Sequence, residues 1–191
     1  MKYYKRLKVY KASNVMFNPQ TFEATSHDWW VFVKKINGTV LFNDYSYSNS
    51  TCRHQSKVRS LLNELKINYQ SVTIPNAKDL NSLSKDTVRS IYKNLIELEI
   101  VVNSTKGKRL ESYAHQSRVY QINGLKKDIQ VLAKVGYKIS KKEVKELTKK
   151  ALSEEKSRLE NLKQKKLERK AFLKRQFETN EAFNLNLGSE A

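Results

Sequence analysis

Residues 29–47, Trp29-Trp30-Val31-Phe32-Val33-Lys34-Lys35-Ile36-Asn37-Gly38-Thr39-Val40-Leu41-Phe42-Asn43-Asp44-Tyr45-Ser46-Tyr47, carry the reading on which the fold turns. Two runs rich in β-branched and aromatic residues meet at Asn37-Gly38, the pair that best tolerates the positive φ angles of a type I′ turn, so the stretch predicts a β-hairpin. Alternation puts Trp29, Val31 and Val33 on one face and Trp30, Phe32 and Ile36 on the other. Both faces then carry apolar surface, and each needs a cover.

Immediately downstream, Ser50 or Thr51 can cap a helix whose Val58, Leu61, Leu62 and Leu65 recur at i, i+3, i+4 and i+7, the spacing of a buried stripe. This helix is the natural cover for one sheet face. Its other side is basic, with Arg53, His54, Lys57 and Arg59. An alternating run at residues 3–11 supplies a candidate third strand, giving a β-β-β-α unit of roughly 65 residues. A sheet of that size fits a DNA major groove, which admits β-structure as well as a helix; the alternative is that the second face is core or a partner surface.

The segments Asp28-Trp29-Trp30, Phe42-Asn43-Asp44-Tyr45-Ser46-Tyr47-Ser48 and His54-Gln55-Ser56-Lys57-Val58-Arg59-Ser60-Leu61-Leu62 together resemble the N-terminal region of small proteins of tailed bacteriophages and related mobile elements. The likeness covers about a third of the chain and implies a phage, prophage or phage-satellite setting. It brings no activity, cofactor or site residue with it.

Residues 84–100 read as a second capped helix, with Val88, Ile91, Tyr92, Leu95 and Leu98 facing inward and Lys85, Arg89, Ser90 and Lys93 left outside. Ile100-Val101-Val102, a basic loop through Lys106, Gly107, Lys108 and Arg109, and a return through Arg118-Val119-Tyr120-Gln121-Ile122 have the order of a β-hairpin. Helix, strand, basic loop and strand are similar to the second half of a winged helix-turn-helix domain. The resemblance implies a helix from Lys85 in a major groove and a wing whose Lys106, Lys108 and Arg109 bind phosphate. The preceding helices of such a domain would come from residues 51–66, merging the two units.

Leu125, Ile129, Leu132 and Val135 then fall at helical spacing ahead of Gly136. Ser140-Lys141-Lys142-Glu143 is a capping-box pattern, and no Pro or Gly follows until Gly188, so a helix of roughly 35 to 40 residues, about 55 Å long, is expected. Its apolar stripe of Val144, Leu147, Ala151, Leu159, Leu162, Phe172, Leu173 and Phe177 falters at Glu154, Glu155 and Arg158, short of a sustained coiled-coil heptad. Partial self-association, docking on another protein and a solvated single helix all fit this pattern.

Charge sets the functional reading. Lys and Arg number 37 against 19 Asp and Glu in 191 residues, a formal +18. Residues 1–70 hold 11 basic and 4 acidic side chains, residues 71–123 hold 8 and 5, and residues 124–191 hold 18 and 10. Such a surplus attracts polyanions and gains from counterion release, which makes nucleic acid, DNA in particular, the default partner. No apolar run is long enough to span a bilayer and no apolar leader opens the chain, so a soluble, cytoplasmic protein without membrane contact is expected. One cysteine, Cys52, excludes an internal disulfide or a cysteine-rich zinc site.

Catalytic candidates are few. His27, His54 and His115 are far apart in sequence, and Glu23, Asp28 and Asp44 are the available carboxylates of the first unit. No HExxH or phosphate-binding glycine loop is present. No catalytic residue, metal or cofactor is assigned, although a metal-free nuclease using His54 with Lys57 or Arg59 is a third possibility.

The expectation is therefore an α+β protein with a sheet-plus-helix domain at residues 1–70, a helix-hairpin domain at 71–136 and a long basic helix with its tail at 137–191. It binds nucleic acid through Arg53, Lys57, Arg59, Lys85, Arg89, Lys93, Lys106, Lys108 and Arg109 in a regulatory or DNA-handling role. The alternative is an interaction protein, a host-defence inhibitor or an assembly or scaffolding factor, that grips another protein through residues 141–177.

Overall fold

In the computed structural model, the hairpin forms as its sequence demands. Asn37 (φ 47°) and Gly38 (φ 83°) make the tight turn between β4 (Trp30–Ile36) and β5 (Thr39–Asn43). The structure describes residues 8–12, 14–74, 79–104 and 112–187, with only the backbone of 178–187. Three strands precede the hairpin, β1 (Tyr10–Ala12), β2 (Val15–Asn18) and β3 (Glu23–Ser26), and run as an antiparallel meander into it. From β5 the chain crosses through α1 (Asn49–Glu64) and returns as β6 (Tyr69–Val72), parallel to β5. The sheet order is β1-β2-β3-β4-β5-β6. Of the strand expected at residues 3–11, only Tyr10 and Lys11 lie in β1; Lys8 and Val9 precede it, and residues 3–7 lie outside the described residues.

A β-bulge changes the predicted alternation. Thr25 pairs with Val31 but Ala24 pairs with Val33, which leaves Phe32 as the extra residue of β4. Trp30, Phe32 and Val33 consequently join one apolar cluster with Phe42, Val58 and Leu62, while Val31 joins the other. Trp29 precedes the strand, 54% exposed, with its ring edge-on to Tyr47.

Helix α1 covers the first face through Val58 and Leu62, with Leu61 and Leu65 partly buried against the same cluster. Its cap is Ser48, ahead of the predicted Ser50 or Thr51. The Ser48 hydroxyl accepts from the Thr51 N–H at 3.2 Å, and the Thr51 hydroxyl accepts from the Ser48 N–H at 2.8 Å.

The second face, Val31, Leu41 and Val72, is buried by Ile74, Leu80, Val88, Ile91, Val131 and Leu132. These come from the β6 exit, the segment at 79–84 that leads into α2 (Lys85–Ser104), α2 itself and α3 (Tyr113–Lys134). Helices thus cover both faces, so neither is open to a DNA groove. The predicted boundary at residue 70 runs through one shared core.

The predicted helix-hairpin gives way to two helices. Ile100, Val101 and Val102 continue α2, and residues 118–122 lie in α3. Leu95, Val102 and Ile122 form a cluster with Leu98, Leu125 and Ile129, so burial at helical spacing overrides the β-propensity of the branched run. Lys106, Lys108 and Arg109 lie outside the described residues. Helix α4 (Lys141–Leu187) is capped as predicted: Ser140 N–H donates to Glu143 Oε2 at 2.8 Å and Glu143 N–H to Ser140 Oγ at 3.2 Å. It runs for 47 residues, longer than expected, and by its contacts the chain divides at Leu147–Thr148 into two units.

One buried side chain fixes how β5 and β6 end. Asn43, fully buried, accepts the N–H groups of Tyr45 and Ile74 at its Oδ1, each at 3.1 Å. Its backbone carbonyl accepts from Gln55 Nε2 at 2.7 Å, which ties the junction to α1. Replacing it orphans backbone donors in a core. Asn43→Ala is expected to lower the unfolding free energy by about 2 to 4 kcal/mol in urea denaturation; a loss below about 0.5 kcal/mol would contradict this role.

Candidate nucleic-acid interface

The outer side of α1 carries the first group of predicted contacts. Its first turn has no acidic residue to offset the positive end of the helix dipole. Arg53, Ser56 and Lys57 are exposed and, with Ser50, Cys52 and His54, line a depression of about 540 Å³. His54 is the buried one among them. The ring Nδ1 is 2.7 Å from the buried Ser26 hydroxyl, and the ring lies 5.2 Å from that of His27. Burial, then the charges of His27 and Lys57, lower its pKa below the usual 6.5. The imidazole is therefore neutral at physiological pH, and the positive charge here comes from Arg53 and Lys57.

Arg59 sits differently. Its guanidinium pairs with Asp44 and lies over the Phe42 ring at 4.7 Å, so it braces the β5–α1 junction.

Lys85, Arg89 and Lys93 are exposed along α2, and Lys93 pairs with Glu97 at 3.6 Å. Because α1 and α2 cover opposite faces of the sheet, the six described positions form two separate surfaces.

The structure also assembles a cleft that sequence reading did not single out. Asp44 from the β5 exit, Ser71 and Thr73 from β6 and its exit, and Tyr120, Asn123, Gly124, Lys127 and Asp128 from α3 line a volume of about 390 Å³. A second volume of about 300 Å³ shares Thr73, Tyr120, Gly124 and Asp128 and adds Asn94, Leu98, Gln121 and Leu125. Asp128 is 6% exposed. Burial pushes its pKa up to about 6, against the lowering effects of a Thr73 N–H hydrogen bond and of Lys127, while Asp44 adds a further raise. One signal was available in sequence: Asp128 falls inside the apolar stripe of Leu125, Ile129, Leu132 and Val135.

No protein-family model, curated protein or solved structure matches the chain. Among the described residues, no helix is long and apolar enough to cross a membrane.

The Asp128 carboxyl has a definite pH signature. Its folded pKa lies above the unfolded value of 3.8, so the folded state holds this proton more tightly and stability falls as pH rises from about 4 through about 6. Above that range an ionised, largely buried carboxylate is retained. Asp128→Asn is expected to raise stability at pH 8 by about 1 to 2 kcal/mol, after allowing for the water that reaches the group, with a much smaller gain at pH 4. Thermal melts at the two pH values read this difference; equal gains at both would contradict it.

Proposed function

We propose that the protein binds nucleic acid, holding the phosphate backbone with basic side chains on its helices in a regulatory or DNA-handling role. The observation that carries the reading is the surface of α4. From residue 156 to 177 every side chain is exposed, with nine Lys and Arg against two Glu. Over about 33 Å of helix this density exceeds what solubility asks of a surface, and the bases point to all sides of the axis. Such an array suits sequence-independent contact with phosphates.

Arg53 and Lys57 on α1 and Lys85, Arg89 and Lys93 on α2 add separate patches, and Lys106, Lys108 and Arg109 add charge to the segment joining α2 to α3. DNA is the favoured polymer, and a phage or mobile-element setting belongs to the same proposal.

A second reading is favoured by a different observation. Leu159, Leu162, Leu173 and Phe177 follow one side of α4 and are 40, 43, 43 and 70% exposed. A protein partner covering that stripe would use α4 as a grip, in keeping with an inhibitor or scaffold. Two copies of this segment would repel one another, so the fitting partner is acidic.

Fluorescence anisotropy with labelled DNA and RNA separates the readings. Affinity is expected to fall steeply with salt, and the quadruple variant Lys165→Glu, Lys166→Glu, Arg169→Glu, Lys170→Glu to reduce the salt slope by roughly one per phosphate contact removed. Absence of binding at about 50 mM salt would exclude the first reading. Loss of a protein partner on Leu159→Ser with Leu162→Ser, at unchanged nucleic-acid affinity, would support the second.

A further inference from the structure

The ridge of α3 formed by Tyr120, Gly124 and Asp128 has a composition that packing does not explain. The three residues are spaced i, i+4 and i+8 and all line the cleft against Thr73. Gly124 lies inside the helix, where glycine costs about 1 kcal/mol relative to alanine. A Cβ built on it meets no atom within 4 Å, so no close approach demands the missing side chain. What the glycine does is leave room.

The walls of that room suit a planar heterocycle. On one side stands Tyr120, 81% exposed, with its ring available for stacking. On the other is Asp128, a residue 6% exposed that lines the cleft and accepts from the Thr73 N–H; a carboxylate has about four lone-pair positions, more than that one bond uses. Leu98 and Leu125 supply apolar lining, and Lys127 stands at the rim beside Asn123.

We propose that this cleft is a nucleobase pocket for guanine: Tyr120 stacks on the base, the space above Gly124 holds it, and Asp128 accepts the adjacent N1–H and N2–H groups. Lys127 meets the phosphate of the same nucleotide. A carboxylate facing two parallel N–H donors is the complement of guanine and of no other common base. In the polymer the base is one splayed out of a single-stranded segment, the form in which edges and faces are both accessible. This last step rests on the nucleic-acid reading; the pocket itself does not.

Calorimetric titration of the full chain with guanosine, adenosine, cytidine and uridine 5′-monophosphates tests the pocket directly. Guanosine monophosphate is expected to bind at least about tenfold tighter than the other three, and Asp128→Asn to remove at least about tenfold of that affinity. Gly124→Leu is expected to abolish binding while leaving the melting temperature unchanged or higher, since it removes no polar group and favours the helix. Unaltered guanosine monophosphate binding by Gly124→Leu would overturn the proposal. So would equal binding of all four nucleotides, or saturation by arginine amide without binding of guanosine monophosphate. Polynucleotide binding without any mononucleotide binding would overturn the pocket and leave the phosphate-binding function standing; the reverse result would keep the pocket and remove that function.

Discussion

The Asn43 carboxamide is the interaction on which the rest of the structure depends. Parallel strands β5 and β6 end side by side, where the Asp44 N–H bonds to the Val72 carbonyl at 2.9 Å. Beyond that point the two chains must diverge inside a core, with backbone donors that no strand pairs. Asn43 takes the N–H groups of Tyr45 and Ile74, and Gln55 of α1 caps the carbonyls of Asn43 and Tyr45 at 2.7 and 3.1 Å. The geometry of this junction sends one chain toward α1 on the first face and the other toward α2 on the second. It also leaves Asp44, Ser71 and Thr73 beside α3, which makes the cleft a direct product of the same turn of chain.

Covering both sheet faces displaces function outward. A sheet with Trp30, Phe32, Val33 and Phe42 on one side and Val31 and Leu41 on the other has no face left for a ligand. For the proposed function this leaves the outer sides of helices, the long α4 helix, and clefts where strand ends approach α3. The positive charge follows that geography: it is concentrated on exposed helix surfaces, while the buried ionisable groups His54 and Asp128 are both shifted toward their neutral forms.

Features set by short-range chemistry were legible in the sequence. The Asn37-Gly38 turn, the Val58 and Leu62 stripe of α1 and the Ser140 and Glu143 cap all follow from rules acting within a few residues. Asn37 adds a contact that no local rule supplies, a bond from its Nδ2 to the Val135 carbonyl at 2.7 Å. Features set by distant partners were not legible. The bulge at Phe32 depends on how β3 aligns, and Ile100, Val101 and Val102 are helical because Val102 packs with Ile122 on α3. Arg59 and Lys57, two residues apart, have different situations because only Arg59 reaches Asp44. The cleft required Thr73 and Asp128 to meet across more than fifty residues of chain, although an aspartate within an apolar stripe marked half of it.

Amide hydrogen exchange of the full chain, with and without a guanine-containing single-stranded oligonucleotide at low salt, tests the central claim that the helix exteriors and the β6–α3 cleft bind while the sheet only supports. Exchange is predicted to slow in residues 50–57, 71–74, 85–93, 120–128 and 156–177 and to stay unchanged in β2 and β4. Slowing centred on β2 to β5, or no slowing anywhere, would contradict the account.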